Sequence, residues 1–379
     1  MRLHRCVGGR PYGDGVRLLH TSDWHLGRSL HRASLAAAQE AFVDHLVSVV
    51  VSEKVDVVVV SGDVYDRAVP PLEAVELCSS AFARLRSAGA RVVVISGNHD
   101  SARRLGFGSS LIDASGVFLR TSFDAVDVPV VLDGVPFFAV PYLEPAAHGF
   151  SSHVAALTDA LARVRAVAPP SAVVLAHCWV AGGAASESER DISVGGISRV
   201  PVSLFDGFAY GALGHLHGAQ VLSDRLRYSG SPLAYSFSEA AQVKGSWLVE
   251  LGAQGQHRAT EFVPAPVPRR LSAVRGDLAS LLSSSEFSGV EDDWLSVTLT
   301  DAARPEQAME RLSARFPHVL VLGFAPDGVS PSAATYASRV RGSDVEVAGA
   351  FVSHVRGTAV SEAESVLLAE AFEAVRVQA

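Results

Sequence analysis

Short apolar runs recur through the first two thirds of the chain, at residues 16–19, 55–60, 92–95, 128–132, 136–140, 172–175 and 209–213. Rich in Val, Ile, Leu and Ala, they read as buried strands. Between them, helical spacing of apolar residues predicts helices over 31–54, 72–88 and 152–167. A strand–helix rhythm of this kind predicts an α/β core with helices covering the sheet faces. Beyond residue 200 the pattern changes to short strands and turns, at 226–229, 246–251 and 258–263.

Pro264, Pro266 and Pro268 mark a boundary. After it, a strand over 294–300, a helix over 306–316 and a strand over 319–324 make a small α+β unit. Residues 326–344, rich in Ala, Ser, Gly and Pro, read as a linker. Two short amphipathic helices follow in 345–379. Val347, Phe351 and Val355 share a face of the first. Ser361 and Glu364 form a capping box for the second, which carries Leu368, Phe372 and Val375. Residues 1–15 hold Gly8, Gly9, Pro11, Gly13 and Gly15 without periodicity. They read as a disordered extension or as a mis-called start upstream of Val16. The expected domains are thus 16–268, 269–325 and 345–379.

Composition narrows the classes. Hydrophobic residues make up 48% of the 379 and charged residues 19%, below the typical ~25%, which excludes a disordered chain. No apolar run approaches the ~18 residues of a membrane span, and residues 1–14 contain no apolar segment of a secretory signal. Cys6, Cys78 and Cys178 lie far apart with no CxxC spacing. That argues against a disulfide framework or a thiolate zinc site, and the expected location is a reducing cytoplasm. The net charge of −8 is uneven: residues 271–379 hold 8 Arg against 15 Asp and Glu, and the rest is close to neutral. Bulk electrostatics therefore do not announce a nucleic-acid binder.

The chemistry sits at strand ends. Asp23 and His25 follow the first run, two apart, so both face one side of an extended backbone. Ser61-Gly62-Asp63-Val64-Tyr65-Asp66 follows 55–60, and Ser96-Gly97-Asn98-His99-Asp100 follows 92–95. His177 ends the run from 172, and Gly214-His215-Leu216-His217 follows 209–213. Taken singly, each cluster has an ordinary reading as a turn or a packed histidine. Together they place two carboxylates, an amide and four imidazoles in the crevice at the strand ends of one α/β sheet. Seven ligands, with one carboxylate bridging, suit two divalent ions ~3.5–4 Å apart. The mixed nitrogen and oxygen set points to Mn, Fe or Zn rather than Ca or Mg. Arg103 and Arg104 follow closely and could contact a phosphate backbone, or simply open a solvated helix. Cys178 reads as a small buried side chain.

The series DxH, GDxxD, GNHD, strand-end His and GHxH resembles the calcineurin-like metallophosphoesterase superfamily. The wider text around Leu19-His20-Thr21-Ser22-Asp23-Trp24-His25-Leu26-Gly27-Arg28 and Tyr228-Ser229-Gly230-Ser231-Pro232-Leu233 resembles its SbcD family, the nuclease subunits of bacterial SbcC–SbcD complexes. Ser236-Phe237-Ser238-Glu239 and Lys244-Gly245 fit the same pattern. The likeness runs from about Val16 to the C-terminus and loosens after residue 270. The resemblance implies a four-layer sandwich of two β-sheets flanked by helices, with a small α+β capping domain and C-terminal helices. It implies that Asp23, His25, Asp63 and His217 hold one metal, and that Asp63, Asn98, His177 and His215 hold the other, with Asp63 bridging. It makes His99 the catalytic histidine, with Asp100 orienting its ring, and manganese the expected metal.

The activity so implied is a 3′–5′ exonuclease on double-stranded DNA ends and an endonuclease on single strands and hairpins. Its partner would be an SbcC-type SMC-like ATPase, in a heterotetramer with two copies of each subunit. The C-terminal helices would dock on that ATPase, or else pack back on their own chain. The rival enzyme reading is a calcineurin-like phosphoesterase acting on a small nucleotide or phosphoprotein. A scaffold that had lost its metals would lack some ligands, and all seven are present.

Overall fold

The computed structural model describes residues 15–190, 192, 199–327 and 343–378. Most of the expected N-terminal extension (1–14) and of the expected linker (328–342) lies outside them. The chain divides into two compact units, Met1–Leu299 with Arg304–Phe324, and Thr300–Ala303 with Ala325–Ala379.

The first unit opens with β1 (Val16–Thr21) and a small hairpin of β2 (Ser29–Leu30) and β3 (Ala33–Ser34). Its first sheet adds β4 (Val57–Ser61), β5 (Arg91–Ile95) and β6 (Val117–Arg120). The second sheet holds β7 (Val130–Leu132), β8 (Val135–Val140), β9 (Val173–His177), β10 (Tyr210–Gly214), β11 (Gln220–Ser223) and β12 (Leu226–Tyr228). β13 (Gly245–Leu251) and β14 (His257–Pro264) return to the first. The orders are β14-β13-β1-β4-β5-β6 and β11-β12-β10-β9-β8-β7. β1, β4 and β5 run parallel, as do β8, β9 and β10.

Period-2 alternation explains the layering. Val57 and Val59 join Phe137, Val173 and Leu175 in the core between the sheets. Val58 and Val60 point the other way, into a core shared with Phe42 and Leu46 of α1 (Ala36–Glu53) and Leu85 of α2 (Leu72–Ser87). Phe138, Val174 and Ala176 pack under Leu157 and Leu161 of α5 (His153–Val167), the helix that follows short α3 (Ala102–Leu105) and α4 (Ser109–Ile112). Strands buried on both faces must be apolar throughout, which is why these segments read as unbroken Val and Ile runs. The result is a multilayered α/β fold: helices, sheet, sheet, helix.

The helix expected from residue 31 begins at Ala36 instead. Residues 29–34 pair as a hairpin whose two turn residues, His31 and Arg32, have φ of 45° and 76°. Such a turn normally advertises itself with Asn-Gly or Gly-Gly, and here it does not.

After the prolines, β15 (Leu271–Gly276), β16 (Trp294–Leu299) and β17 (Val319–Phe324) form a parallel three-stranded sheet with α6 (Leu278–Ser283) and α7 (Ala308–Ser313). β15 and α6 add to the strand–helix–strand expected here, and α7 is shorter than the predicted 306–316. Leu295, Val297 and Leu299 bury one face with Leu281, Leu312 and Phe316. Leu271, Trp294 and Leu320 pack against Leu30, Leu35, Ala38, Leu233 and Tyr235 of the larger body.

In the second unit, α8 (Asp344–Arg356) and α9 (Glu362–Gln378) lie against each other. Ser361 caps α9: its N and Oγ each lie 2.8 Å from Glu364 Oε2, and Glu364 N donates back to Ser361 Oγ. An equivalent box, Ser343 with Glu346, starts α8. Among the described residues no helix is long and apolar enough to cross a membrane.

Candidate metal centre

The parallel strands of both sheets deliver their carboxyl ends to one place. β1 leads to Asp23 and His25, β4 to Asp63, β5 to Asn98; β9 ends at His177, and β10 leads to His215 and His217. Six of these seven residues are at most 2% exposed, and Asn98 is partly buried. Asp23, His25, Asp63 and His215 all have positive φ, between 44° and 107°. Non-glycine residues rarely adopt that conformation and concentrate it at functional sites. The glycines of the GN and GH pairs are needed for close approach. A Cβ on Gly97 would lie 2.1 Å from Asp63 Oδ1, and one on Gly214 would lie 1.9 Å from the Ser61 carbonyl oxygen.

Asp63 is the centre of the arrangement. Its Oδ1 accepts from His99 N at 2.8 Å. Its Oδ2 is 3.6 Å from His25 Nε2 and 3.6 Å from His177 Nε2. On one side, His25 Nε2 and His217 Nε2 face each other at 3.1 Å. On the other, Asn98 Oδ1 lies 2.9 Å from His177 Nε2 and 3.1 Å from His215 Nδ1. Asp23 joins the two sheets, accepting from His215 N at 3.0 Å and from Ser22 Oγ at 2.5 Å.

Burial controls the charge states. It drives His25, His215 and His177 below the ordinary imidazole range, His25 and His215 well below it; the neighbouring rings push His25 and His215 further down. Burial and the adjacent Asp63 push Asp23 well above the usual carboxylate range. Neutral imidazoles are the form that binds metal, and a cation beside two carboxylates this close would favour their charged form.

Those features test whether the residues fit divalent ions. The His177 Nδ1–H donates to the Ser61 carbonyl at 2.9 Å, so its Nε2 lone pair points at Asn98 Oδ1. His25 Nδ1 and His215 Nε2 are buried without a hydrogen-bond partner. Asp23, His25 and His217, and likewise Asp23, Asp63 and His177, each place one ligand atom apiece within 4.8 Å of one another. Two carboxylates, an amide oxygen and imidazole nitrogens that converge in this way fit divalent cations.

His99 borders this set, its ring 4.6 Å from that of His25, one ligand atom within 4.8 Å of those of His25 and Asp63, and Nδ1 2.8 Å from the carbonyl oxygen of Asp66. Asp100 does not orient that ring, contrary to expectation. Its carboxylate accepts from the backbone N–H groups of Val64, Tyr65 and Gly97, at 3.1, 2.9 and 2.9 Å, and so ties the β4 loop to the β5 loop. Burial, reinforced by Asp63, raises its pKa to about 7. Arg103 and Arg104 are exposed on α3, and Arg104 donates to the Ala68 carbonyl at 2.9 Å. Cys178 is buried, and burial holds its thiol protonated.

Residues 16–177 match the model of the calcineurin-like phosphoesterase family. The chain carries a calcineurin-like phosphoesterase domain. That family consists of metal-dependent hydrolases that bind two divalent ions. Downstream of the phosphoesterase domain, residues 267–344 match the SbcD C-terminal model, described as the type 5 capsule protein repressor C-terminal domain. Among solved structures, TT1561 of Thermus thermophilus is 12% identical with a TM-score of 0.39, covering 66% of this chain and 99% of that one. GAP50, the anchor in the inner membrane complex of Plasmodium, is 11% identical with a TM-score of 0.38, covering 84% and 99%.

Several neighbours of this cluster carry no strand-end signal. Ser188 and Glu189 come from the loop after β9. Glu189 Oε1 accepts from His217 N at 2.7 Å, and Ser188 Oγ lies 2.5 Å from His217 Nδ1. Glu239 and Lys244 lie beneath them. Burial alone would raise the Glu239 pKa, but His217 and Lys244 outweigh it and hold the carboxylate well below its usual range. The pair Glu239 and Lys244 is visible in the sequence only through the family pattern.

Proposed function

We propose that the chain is a manganese-dependent DNA nuclease, a 3′–5′ exonuclease on duplex ends and an endonuclease on single strands and hairpins. It works in the cytoplasm with an SbcC-type SMC-like ATPase, two copies of each. One observation carries the dinuclear reading: Asp63 Oδ2 stands equally far from a histidine of each ligand set. Asp23, His25, Asp63 and His217 hold one ion, and Asp63, Asn98, His177 and His215 hold the other. When bound, the two ions screen the phosphodiester charge and acidify the attacking water.

The remaining chemistry belongs to side chains. The Asp66 carbonyl takes the Nδ1–H of His99, so that in an imidazolium at this position the Nε2–H is the proton given to the departing oxygen, leaving the neutral ring. General-acid help of this kind is worth ~10²–10⁴ in rate. Arg103 and Arg104, exposed just past His99, are placed to meet backbone phosphates. The β15–β17 unit, as the capping domain, borders the site through Tyr235, whose ring is 5.3 Å from that of His25. Exposed Phe351 and Val355 on α8, and Val366 and Leu367 on α9, suit a helix-in-groove contact with the ATPase.

The test is hydrolysis of a blunt DNA duplex against a small phosphodiester, with and without manganese and the ATPase. Manganese-dependent duplex degradation supports the nuclease. Cleavage of the small ester alone would favour an enzyme of nucleotides or phosphoproteins. A chain lacking residues 345–379 should still hydrolyse DNA yet fail to retain the ATPase.

A further inference from the structure

Behind His217 lies a polar cluster that no strand-end motif supplies. Glu239 is 0% exposed and Lys244 5%, and Lys244 Nζ donates to Glu239 Oε2 at 2.6 Å. A buried ion pair is not by itself a stabilising device, because an apolar pair of similar volume often serves as well. Its surroundings point to another role. Ser188 Oγ donates its only proton to Glu239 Oε1, so towards His217 Nδ1 it can only accept. His217 therefore carries its hydrogen on Nδ1, and the Nε2 lone pair faces His25 Nε2. The same carboxylate lies 2.9 Å from Ser186 Oγ and accepts from Tyr235 N at 3.1 Å. It thereby fastens residues 186–188 against the centre.

We propose that Glu239, acting through Ser188 and backed by Lys244, is a positioning residue that sets the tautomer and orientation of His217 for one of the two ions. The inference rests on the two-ion reading above. It also predicts an asymmetry. The hydrogen bonds of the Glu239 carboxylate reach His217 and its supports, while Asn98, His177 and His215 lie against one another and His177 donates to the Ser61 carbonyl. Only one ion position therefore depends on Glu239.

The experiment is a manganese titration of the metal-free full chain, followed by electron paramagnetic resonance with metal stoichiometry. The wild-type chain should take up two ions. Glu239→Gln should keep one at wild-type affinity and weaken the other ~10–100-fold, as loss of an outer-shell partner typically does. Ser188→Ala leaves the buried ion pair intact and should weaken the same ion by a smaller factor, so the test survives if Glu239→Gln fails to fold. Two ions at wild-type affinity in a folded variant would overturn the proposal. So would equal weakening of both. A wild-type chain that binds no manganese would instead remove the two-ion reading beneath it.

Discussion

In the two-sheet body, Val57, Val58, Val59 and Val60 are all 0% exposed, because β4 has a packed layer on each side. In β16, burial alternates: Leu295, Val297 and Leu299 are buried, and Trp294, Ser296 and Thr298 are partly exposed. The small sheet has one well-filled face and rests its other on the body through a few residues. A strand held on both faces has no freedom to slide, since a one-residue slip would exchange the contents of two cores. The loops that leave such strands can then carry strained, closely spaced ligands. The candidate ligands all come from the body, and none comes from the three-stranded sheet.

The sharpest way to break this contrast is at Asp63. Asp63→Ala should empty or weaken both ion positions and lower hydrolysis by more than the ~10²–10⁴-fold that a proton-transfer group supplies. Metal analysis and a DNA-cleavage assay check it. Retained manganese-dependent cleavage would refute the bridge. His99→Ala should keep two ions yet slow cleavage by ~10²–10⁴-fold; loss of an ion would make His99 a ligand.

Core substitutions sharpen the comparison by stability. Phe137 lies between the sheets and Phe316 inside the small unit, both 0% exposed. Replacing either with Ala should cost ~3–5 kcal/mol in denaturant titration. Phe137→Ala should also weaken manganese binding, whereas Phe316→Ala should leave it intact. Equal damage to metal binding would mean that the two regions are not separable.

The smallest effect concerns His20 in β1, fully buried between Tyr210 Oη at 3.0 Å and the Leu213 carbonyl at 3.1 Å. Burial first of all pushes its pKa down to about 3. The unfolded chain takes up the proton near pH 6.5 while the folded chain does not. Its contribution is thus present above pH 6.5 and is lost as pH falls, by about 2 kcal/mol between pH 7 and 5. In His20→Gln that part of the pH dependence of unfolding should disappear.

The ligand-bearing strands were readable because both-face burial writes itself as Val runs, and because each ligand cluster immediately follows one. Asp23, Asp63 and His177 could be named from that adjacency alone. The supports of His217 could not. Ser188 lies eleven residues past the end of β9, in a loop without periodicity, and Glu239 reaches the centre only through tertiary folding. The role expected of Asp100 failed for a related reason. Its neighbour in sequence is His99, but three backbone N–H groups compete for its carboxylate and win. The hairpin of β2 and β3 escaped notice because its turn uses His31 and Arg32 where glycine or asparagine is usual.

The most direct test of the whole account is anomalous diffraction from crystals of this chain grown with manganese. Two peaks ~3.5–4 Å apart with Asp63 between them, one beside His25 and His217 and the other beside His177 and His215, are the predicted result. A single peak away from Asp63, or none within this cluster, would contradict it.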